Sequence, residues 1–578
     1  MLKVTFSSVD EEFGPSGSVG MPAELSSMAI RRLVDIGASL AVMVQIANFS
    51  GATVVPIPAL GLAAIVLAGA TLVPMAGSIL GVAPTTLARM ELGVLGLAAL
   101  TVALQVVAVV HFSPSLQSDE AVLSQAAGTL VLHGHDPYGA HLVAATRAFR
   151  ESPSLETPLQ SGGWVRLVEY PGLALLVTAL SVWLTHGFES IVIADAVALI
   201  LTMFVMFALM PHTVRALSVV VVLAIPGLVT WAFLGVVAVL ALPLLAFAVS
   251  QWDSGGALGA EGRFGWVQAA ALGLACAVSQ LAWLVAPFLL LAIWRTNQAR
   301  VGWARGTRHA LRFALVATVS FTVVNIPFVV ANPQEWLGSV AAPLLQAAIP
   351  NGLGLATLPL LAHAGGGYLD GYTLGAALAY VALMIAAWLW LDRLRGVVLV
   401  LPILAVTVSP RSLREYWALL LPVWVTAAAT LQSPMTSVSR DAMRASLLER
   451  VYLKAALVVV GAAAVAEVLL ALSAPPPIAV IVTEVFTSRQ SQLSSQILVR
   501  LTNLTDTRLS PHFVIATGGG RMVWTRRTGP RALGAYASAE YRLVAPEPRA
   551  RLPQTPFQVD VLTASPETLS VSPLHVPG

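Results

Sequence analysis

The sequence predicts an all-α polytopic membrane protein of about thirteen transmembrane helices, followed by a C-terminal β-sandwich on the outer side of the membrane. Three observations predict it. Only 11% of the 578 residues are charged, against roughly 25% in a typical soluble protein. Hydrophobic residues make up 57% and the mean hydropathy is +0.81, and they fall in blocks long enough to cross about 30 Å of hydrocarbon. After Pro475-Pro476-Pro477 the pattern changes to short strand-like stretches separated by Gly, Pro and polar clusters.

Taken in order, residues 1–24 are polar, carry Asp10, Glu11 and Glu12, and lack the basic-then-apolar order of a cleavable signal peptide. They read as a cytoplasmic tail, and the first span is the insertion signal. Residues 25–473 form the membrane domain. Its apolar segments run at about 33–51, 56–77, 91–112, 171–187, 189–210, 216–232, 234–251, 267–294, 313–331, 372–392, 396–409, 417–431 and 455–473, each near the roughly 17 to 25 residues a spanning helix needs.

Arginines set the orientation, because short cytoplasmic loops carry the excess positive charge. Arg31 and Arg32 precede the first span, Arg295, Arg300, Arg305, Arg308 and Arg312 follow the eighth, and Arg440, Arg444, Arg450 and Lys454 precede the last. Counting spans puts all three groups on one side. If that side is the cytoplasm, residues 113–169, 332–371, 409–416 and everything after 474 face outwards. Asp35 and Asp195 then fall near cytoplasmic ends of their spans.

The domain 474–578 reads as a β-sandwich from "IAVIVTEVF", "SSQILVRLTN", "HFVIAT", "AEYRLVAP" and "FQVDVLTA". The tri-proline is expected to hold it off the membrane as a stiff spacer. Trp524, Tyr536 and Tyr541 could stack on sugar rings or fill its core. Asn503-Leu504-Thr505 fits the glycosylation sequon.

The net charge of +3 includes only two lysines, Lys3 and Lys454, and no basic run, which argues against a nucleic-acid partner. The single cysteine, Cys276, excludes an internal disulfide and a cysteine metal cage.

The chemistry concentrates in the loop 113–169. In "SDEAVLSQAAGTLVLHGHDPY" Ser118 is a good N-cap, Asp119 and Glu120 occupy the first turn, and apolar residues recur at helical spacing up to Gly134. His133 and His135 close the far end. Asp119 reads as a general base for a sugar hydroxyl, or with Glu120 as a complement to the helix dipole. In "SPRSLREYWALLLP" Ser409 and Pro410 read as N-cap and first residue of a helix whose Arg411 and Arg414 share one face. Two arginines at an outer helix end oppose the positive-inside bias, and anchoring the phosphate of a lipid-linked donor explains them, as does lipid headgroup contact or a pair with Glu415. Few polar residues lie within the spans: Gln280, Asn325 and Glu467 join the two aspartates. A transporter or flippase of lipid-linked sugars would need such groups near the midplane, with Glu467 the best placed. The stretch 332–371 reads as interfacial half-helices, with Trp336 at headgroup level and glycines 365–367 as a flexible end.

The order of "SDEAVLSQAAGTLVLHGHDPY", "EYPGLALLVTAL", "AVSQLAWLVAPFLLLAIWR" and "SPRSLREYWALLLP" resembles polytopic glycosyltransferases of the GT-C fold, especially glycosyltransferase family 87, which includes polyprenol-phosphate-mannose-dependent mannosyltransferases. The resemblance covers roughly residues 90–430. It implies inverting transfer of a sugar, mannose in that family, from a polyprenyl-phosphate donor to a glycan or glycolipid acceptor at the outer face of the cell membrane. Carried over, Asp119 is the base with Glu120 beside it as alternative or as a metal or acceptor ligand. Arg411 and Arg414 hold the donor phosphate, and His135, Asp136, Tyr138, Tyr170 and Gln280 shape the pocket. Ser279 stands before Gln280 where the family has a lysine. No cofactor is required by these residues, although Asp119 and Glu120 could bind a divalent cation such as Mg2+ or Mn2+.

Overall fold

The computed structural model describes residues 23–53, 58–112, 118–148, 156–186, 189–225, 227–254, 263–345, 348–352, 354–357, 367–432, 447–487, 494–517, 520–545 and 556–576. The expectations placed on the tail 1–22, on glycines 365 and 366, and on Arg440 and Arg444 lie outside the described residues.

The chain begins with α1 (Ala23–Thr53), α2 (Pro58–Leu80), α3 (Pro84–Phe112), α4 (Asp119–Leu132) and the short α5 (Val143–Ala148). It continues with α6 (Gly172–Thr185), α7 (Ser190–Leu209), α8 (Leu217–Leu223), α9 (Leu228–Phe233) and α10 (Leu242–Val249). Next come α11 (Arg263–Cys276), α12 (Gln280–Val301), α13 (Trp303–Ala331) and α14 (Pro333–Leu345). Last are α15 (Asp370–Leu394), α16 (Leu401–Val406), α17 (Arg414–Ala429) and α18 (Leu447–Ser473). Seven helices among the described residues are long and apolar enough to cross a membrane. Their outward faces carry large apolar side chains such as Leu311, Leu315, Val323 and Val330 of α13, all exposed. Faces of that kind need hydrocarbon around them. The protein is membrane-embedded.

Buried charge marks one end of the bundle. Glu91, at the start of α3, accepts Arg31 Nε of α1 at 2.5 Å and also pairs with Arg215, just beyond α7. Asp253 pairs with Arg395 beyond α15. These pairs bring the start of α1, the start of α3 and the far end of α7 together. The opposite end holds α4, and α7 begins there, because Ile191 N donates to Gln125 Oε1 of α4 at 3.3 Å.

Two spans read from the sequence are corrected by this. Segment 171–187, expected to cross, forms the 14-residue α6, about 21 Å long. It runs back along α4: a Cβ on Gly128 would stand 2.8 Å from Thr178 Cγ2, and Ser181 Oγ donates to Ser190 O at 2.5 Å. Both its ends therefore lie at the α4 end of the bundle. Asp195, one turn into α7, is consequently at that end and fully buried, not at the end of Arg31. Segment 267–294, read as one span, is two helices. The chain breaks after Cys276, and Ser279 caps α12 by accepting Leu281 N at 3.2 Å. Segments 216–232 and 396–409 also depart from continuous helices, forming α8 with α9 in the first and the short α16 in the second.

The C-terminal strands are β3 (Ile478–Thr487), β4 (Ser494–Asn503), β5 (His512–Thr517), β6 (Gly520–Thr528), β7 (Ser538–Val544), β8 (Phe557–Ala564) and β9 (Glu567–Val571). They form one sheet in the order β3-β4-β7-β6-β5-β8-β9. The first half of β6 pairs with β5 and the second half with β7. Val499 of β4, Ile515 of β5 and Val561 of β8 share one core, which a flat sheet in that order could not achieve, since neighbouring strands are about 4.8 Å apart. The sheet folds over itself at β6. Trp524 and Tyr541 fill this core, whereas Tyr536 is exposed, so only the last remains free to stack on a sugar. Asn503 is buried, its Nδ2 donating to Thr507 O at 2.7 Å and Gly534 O at 2.8 Å, which closes the sequon to modification.

The tri-proline does not act as a spacer. The sheet rests directly on the membrane domain: Leu369 N donates to Glu567 O at 3.0 Å, Leu569 N to Gly367 O at 2.8 Å, and Arg521 Nη1 to Pro350 O at 2.7 Å. Ile349, Tyr372, Val514, Leu562 and Leu569 form a shared apolar cluster beneath these bonds.

Candidate active site

The sequence places α4 where a capping serine meets an apolar run, and the structure keeps that start. Ser118 is extended, accepts Ala121 N at 3.1 Å, and donates from the same hydroxyl to Leu234 O at 2.7 Å. One side chain thus caps the helix and fixes its first turn to the segment after α9. Asp119 and Glu120 follow and line a cavity of about 610 Å³.

The cavity is assembled from distant segments. The strap 156–158 forms one side, Trp231, Leu234 and Val236 an apolar side, and Arg411, Arg414 and Glu415 another. Backbone pairing holds these together. Ala348 pairs with Leu159, while β1 (Asn351–Gly352) runs parallel to β2 (Arg411–Ser412). Gly352 has φ +101, and a Cβ there would stand 1.8 Å from Ser412 O; only glycine permits this approach.

That pairing corrects the expected helix. Arg411 and Ser412 are strand, Leu413 is the N-cap, and α17 starts at Arg414. Ser409 Oγ accepts Arg411 N at 3.4 Å in a turn. The two arginines therefore do not share a helix face. They nevertheless both reach the cavity, Arg411 half-buried and Arg414 exposed.

The two carboxylates differ. Asp119 is buried, with Oδ1 accepting Glu120 N and Oδ2 accepting Thr157 N, both at 2.9 Å. Backbone donors on both oxygens fix its position. Glu120 Oε2 is buried with no hydrogen-bond partner. Burial pushes its carboxyl up to about 8, opposed by a hydrogen bond from Tyr170, reinforced by Glu415 and Asp119, and opposed again by Arg411. Burial, with Glu120 beside it, also raises the Tyr170 hydroxyl well above its usual range. Burial works against the charge of Arg411, but Tyr416, Glu169, Glu120 and Asp119 together raise it.

Of the expected pocket residues, Tyr170 reaches the space around the carboxylates, lining a narrow recess that Asp119, Glu120 and Arg411 share. Three stand behind it. Tyr138 donates to Tyr170 O at 2.8 Å and packs edge-on against Phe328 at 5.5 Å between ring centroids. Asp136 Oδ1 accepts Tyr138 N at 3.0 Å, closing the turn that sets Tyr138. Gln280 Nε2 donates to Glu169 O at 2.6 Å and Val340 O at 2.8 Å. His135 is exposed and away from the cavity. His135, Asp136, Tyr138 and Gln280, expected to shape the pocket, do not line the cavity: Asp136, Tyr138 and Gln280 hold turn and loop backbone, and His135 faces solvent. Among the described residues no three His, Cys, Asp or Glu side chains are placed to hold a metal ion, and both Asp119 oxygens are engaged by backbone N–H groups.

The β-domain contributes Ala516, Thr517 and Arg521 to the cavity wall, residues that the sequence reading did not single out. Arginine in a strand one residue after a glycine run was the available signal. No protein family, curated protein or solved structure matches the chain.

Proposed function

We propose that the protein is an inverting glycosyltransferase that moves a sugar, mannose in the family it resembles, from a polyprenyl-phosphate donor to a glycan or glycolipid acceptor at the outer face of the cell membrane. One observation carries this reading: two carboxylates from the start of α4 and two arginines some 290 residues later converge on one cavity at one end of a membrane bundle. Glycosyl transfer needs that pair of charges. The bond from the anomeric carbon to the donor phosphate oxygen breaks while the acceptor oxygen bonds to the opposite face of the carbon, and the hydroxyl proton leaves to a base. Glu120, with an unpartnered oxygen and a proton affinity near the working range, takes that proton. Asp119, fixed by two amides, holds the strap and supplies negative charge to the oxocarbenium-like sugar. The departing phosphate collects negative charge beside Arg411 and Arg414, whose guanidinium forks match its oxygens. The apolar side formed by Trp231, Leu234 and Val236 suits the first units of the lipid chain.

The test is transfer from labelled polyprenyl-phosphate mannose by the full chain in nanodiscs, with the product's anomeric configuration determined. Inverted product from the wild type, with a donor KM raised roughly tenfold or more in Arg411→Gln, supports the reading. Retention of configuration, or accumulation of intact donor across the bilayer without transfer, would sink it in favour of a different transferase or a flippase.

A further inference from the structure

The strand β6 belongs to a separate domain, yet its first arginine forms part of the cavity wall. Arg521 lies in the half of β6 that pairs with β5, directly above the segment 348–352 that ties the strap to Arg411. Its Nη1 donates to Pro350 O at 2.7 Å. Its Nε stands 3.7 Å from the buried Asp560 Oδ2 on β8, the strand beyond β5. Among the described residues Nη2 takes no protein acceptor. One nitrogen is thus spent on docking and one faces a counter-ion just beyond hydrogen-bond reach, which leaves part of the fork for a ligand.

The position separates it from the donor-side arginines. Arg414 opens a helix of the membrane bundle and Arg411 precedes it by three residues, where a lipid-borne phosphate can reach while its chain stays in hydrocarbon. Arg521 is carried by the sheet, which packs on loops and on the ends of α15 and α18 at that end of the bundle. A ligand group meeting Arg521 enters from the aqueous side.

We infer that Arg521 is the acceptor-side anion contact of this cavity, so that the β-domain selects an acceptor glycan or glycolipid carrying a phosphate or carboxylate group. The inference rests on the glycosyltransferase reading for the word acceptor, and on the geometry alone for the anion. A planar guanidinium recognises either group through paired donors and binds a neutral hydroxyl more weakly.

Binding is the direct readout. Octyl mannoside, octyl mannoside phosphate and octyl mannosiduronate are titrated calorimetrically into the full-length protein in nanodiscs, for the wild type, Arg521→Gln and Arg521→Lys. The expected result is that one anionic glycoside binds roughly tenfold tighter than the neutral one. Arg521→Gln removes that preference, weakening anionic binding far more than neutral binding, and Arg521→Lys keeps part of it. Which of the two anionic probes is preferred identifies the group. Equal binding of all three probes to the wild type would overturn the inference, as would an undiminished preference in Arg521→Gln. Because Nη1 also docks the domain, melting of each variant is recorded; loss of all binding in both variants together with a lowered Tm would assign Arg521 to docking and also overturn it. The same preparations are then offered polyprenyl-phosphate mannose. Anion preference without transfer from any polyprenyl-phosphate sugar refutes the transferase reading and leaves the Arg521 assignment standing; transfer without anion preference does the reverse.

Discussion

Asp119 Oδ2 accepts the backbone N–H of Thr157 at 2.9 Å, joining the first turn of α4 to a strap that also pairs through Leu159 with Ala348 and through Pro158 with Trp164. Its other oxygen accepts the N–H of Glu120. An asparagine keeps one acceptor oxygen and replaces the other with a donor, which would face an N–H. Asp119→Asn is therefore expected to loosen the strap and lower turnover about ten- to a hundredfold, while the pH dependence set by Glu120 is preserved. Hydrogen exchange of residues 156–160 and a pH–rate profile check this together. Disappearance of the pH dependence in Asp119→Asn, with its survival in Glu120→Gln, would exchange the two roles.

Glu120 makes a prediction with a definite sign. Its carboxyl titrates near 8 in the folded protein, raised first by burial, and near 4.3 in an unfolded chain. The folded state therefore binds the extra proton between those values. The stability it contributes is complete below the unfolded value and is lost as pH rises through about 8. Transfer runs the other way, because only the deprotonated carboxylate accepts the hydroxyl proton: kcat/KM should climb with pH and level off above about 8. Glu120→Gln should lower kcat about 10² to 10⁴-fold and flatten the pH dependence of stability over that window. Thermal melts and initial rates across pH 5 to about 9 measure both. An unchanged melting profile in Glu120→Gln would show that the carboxyl is not buried as described.

The large elements were legible because their signals are local. The cap at Ser118, the paired acids after it and the stretches that became β4, β5 and β8 follow from adjacent residues and emerge with the same or nearly the same limits. Strands β6 and β9 were missed: "RMVWTRRT" breaks its alternation with arginines, and "ETLSV" is too short to stand out. Segment 171–187 failed for a different reason. An apolar helix packed against α4 with leucines and Trp183 exposed on its other face has the composition of a span, and only its 14-residue length and its contacts reveal otherwise. Periodicity cannot separate the two environments.

At the site, residue types were legible and roles were not. Asp119, Glu120, Arg411 and Arg414 meet at one cavity, but nothing in "SPRSLREYW" says that Arg411 pairs as strand with Asn351, since that bond depends on a segment sixty residues earlier. Tyr138 and Gln280 carry the same lesson. Their polar ends hold the backbone of Tyr170 and Glu169, so they act on the pocket through the loop.

Gly352 tests whether that pairing builds the site. Its φ of +101 is a conformation L side chains rarely adopt, and a methyl group there would stand 1.8 Å from the Ser412 carbonyl oxygen and 2.9 Å from Leu413 Cα. Backbone, unlike a flexible side chain, cannot swing aside. Gly352→Ala must therefore part β1 from β2, at a cost of at least about 2 kcal/mol. The bundle core lies elsewhere, so the damage should stay local: Arg411 shifts, the donor KM rises roughly tenfold or more, and the melting of the membrane domain changes little. Kinetics against donor concentration, with hydrogen exchange at 348–352 and 409–413, would detect this. Unaltered donor KM alongside faster exchange in both segments would mean that Arg411 reaches its ligand without the strand pairing, and the positioning role given to Asn351–Gly352 would be wrong.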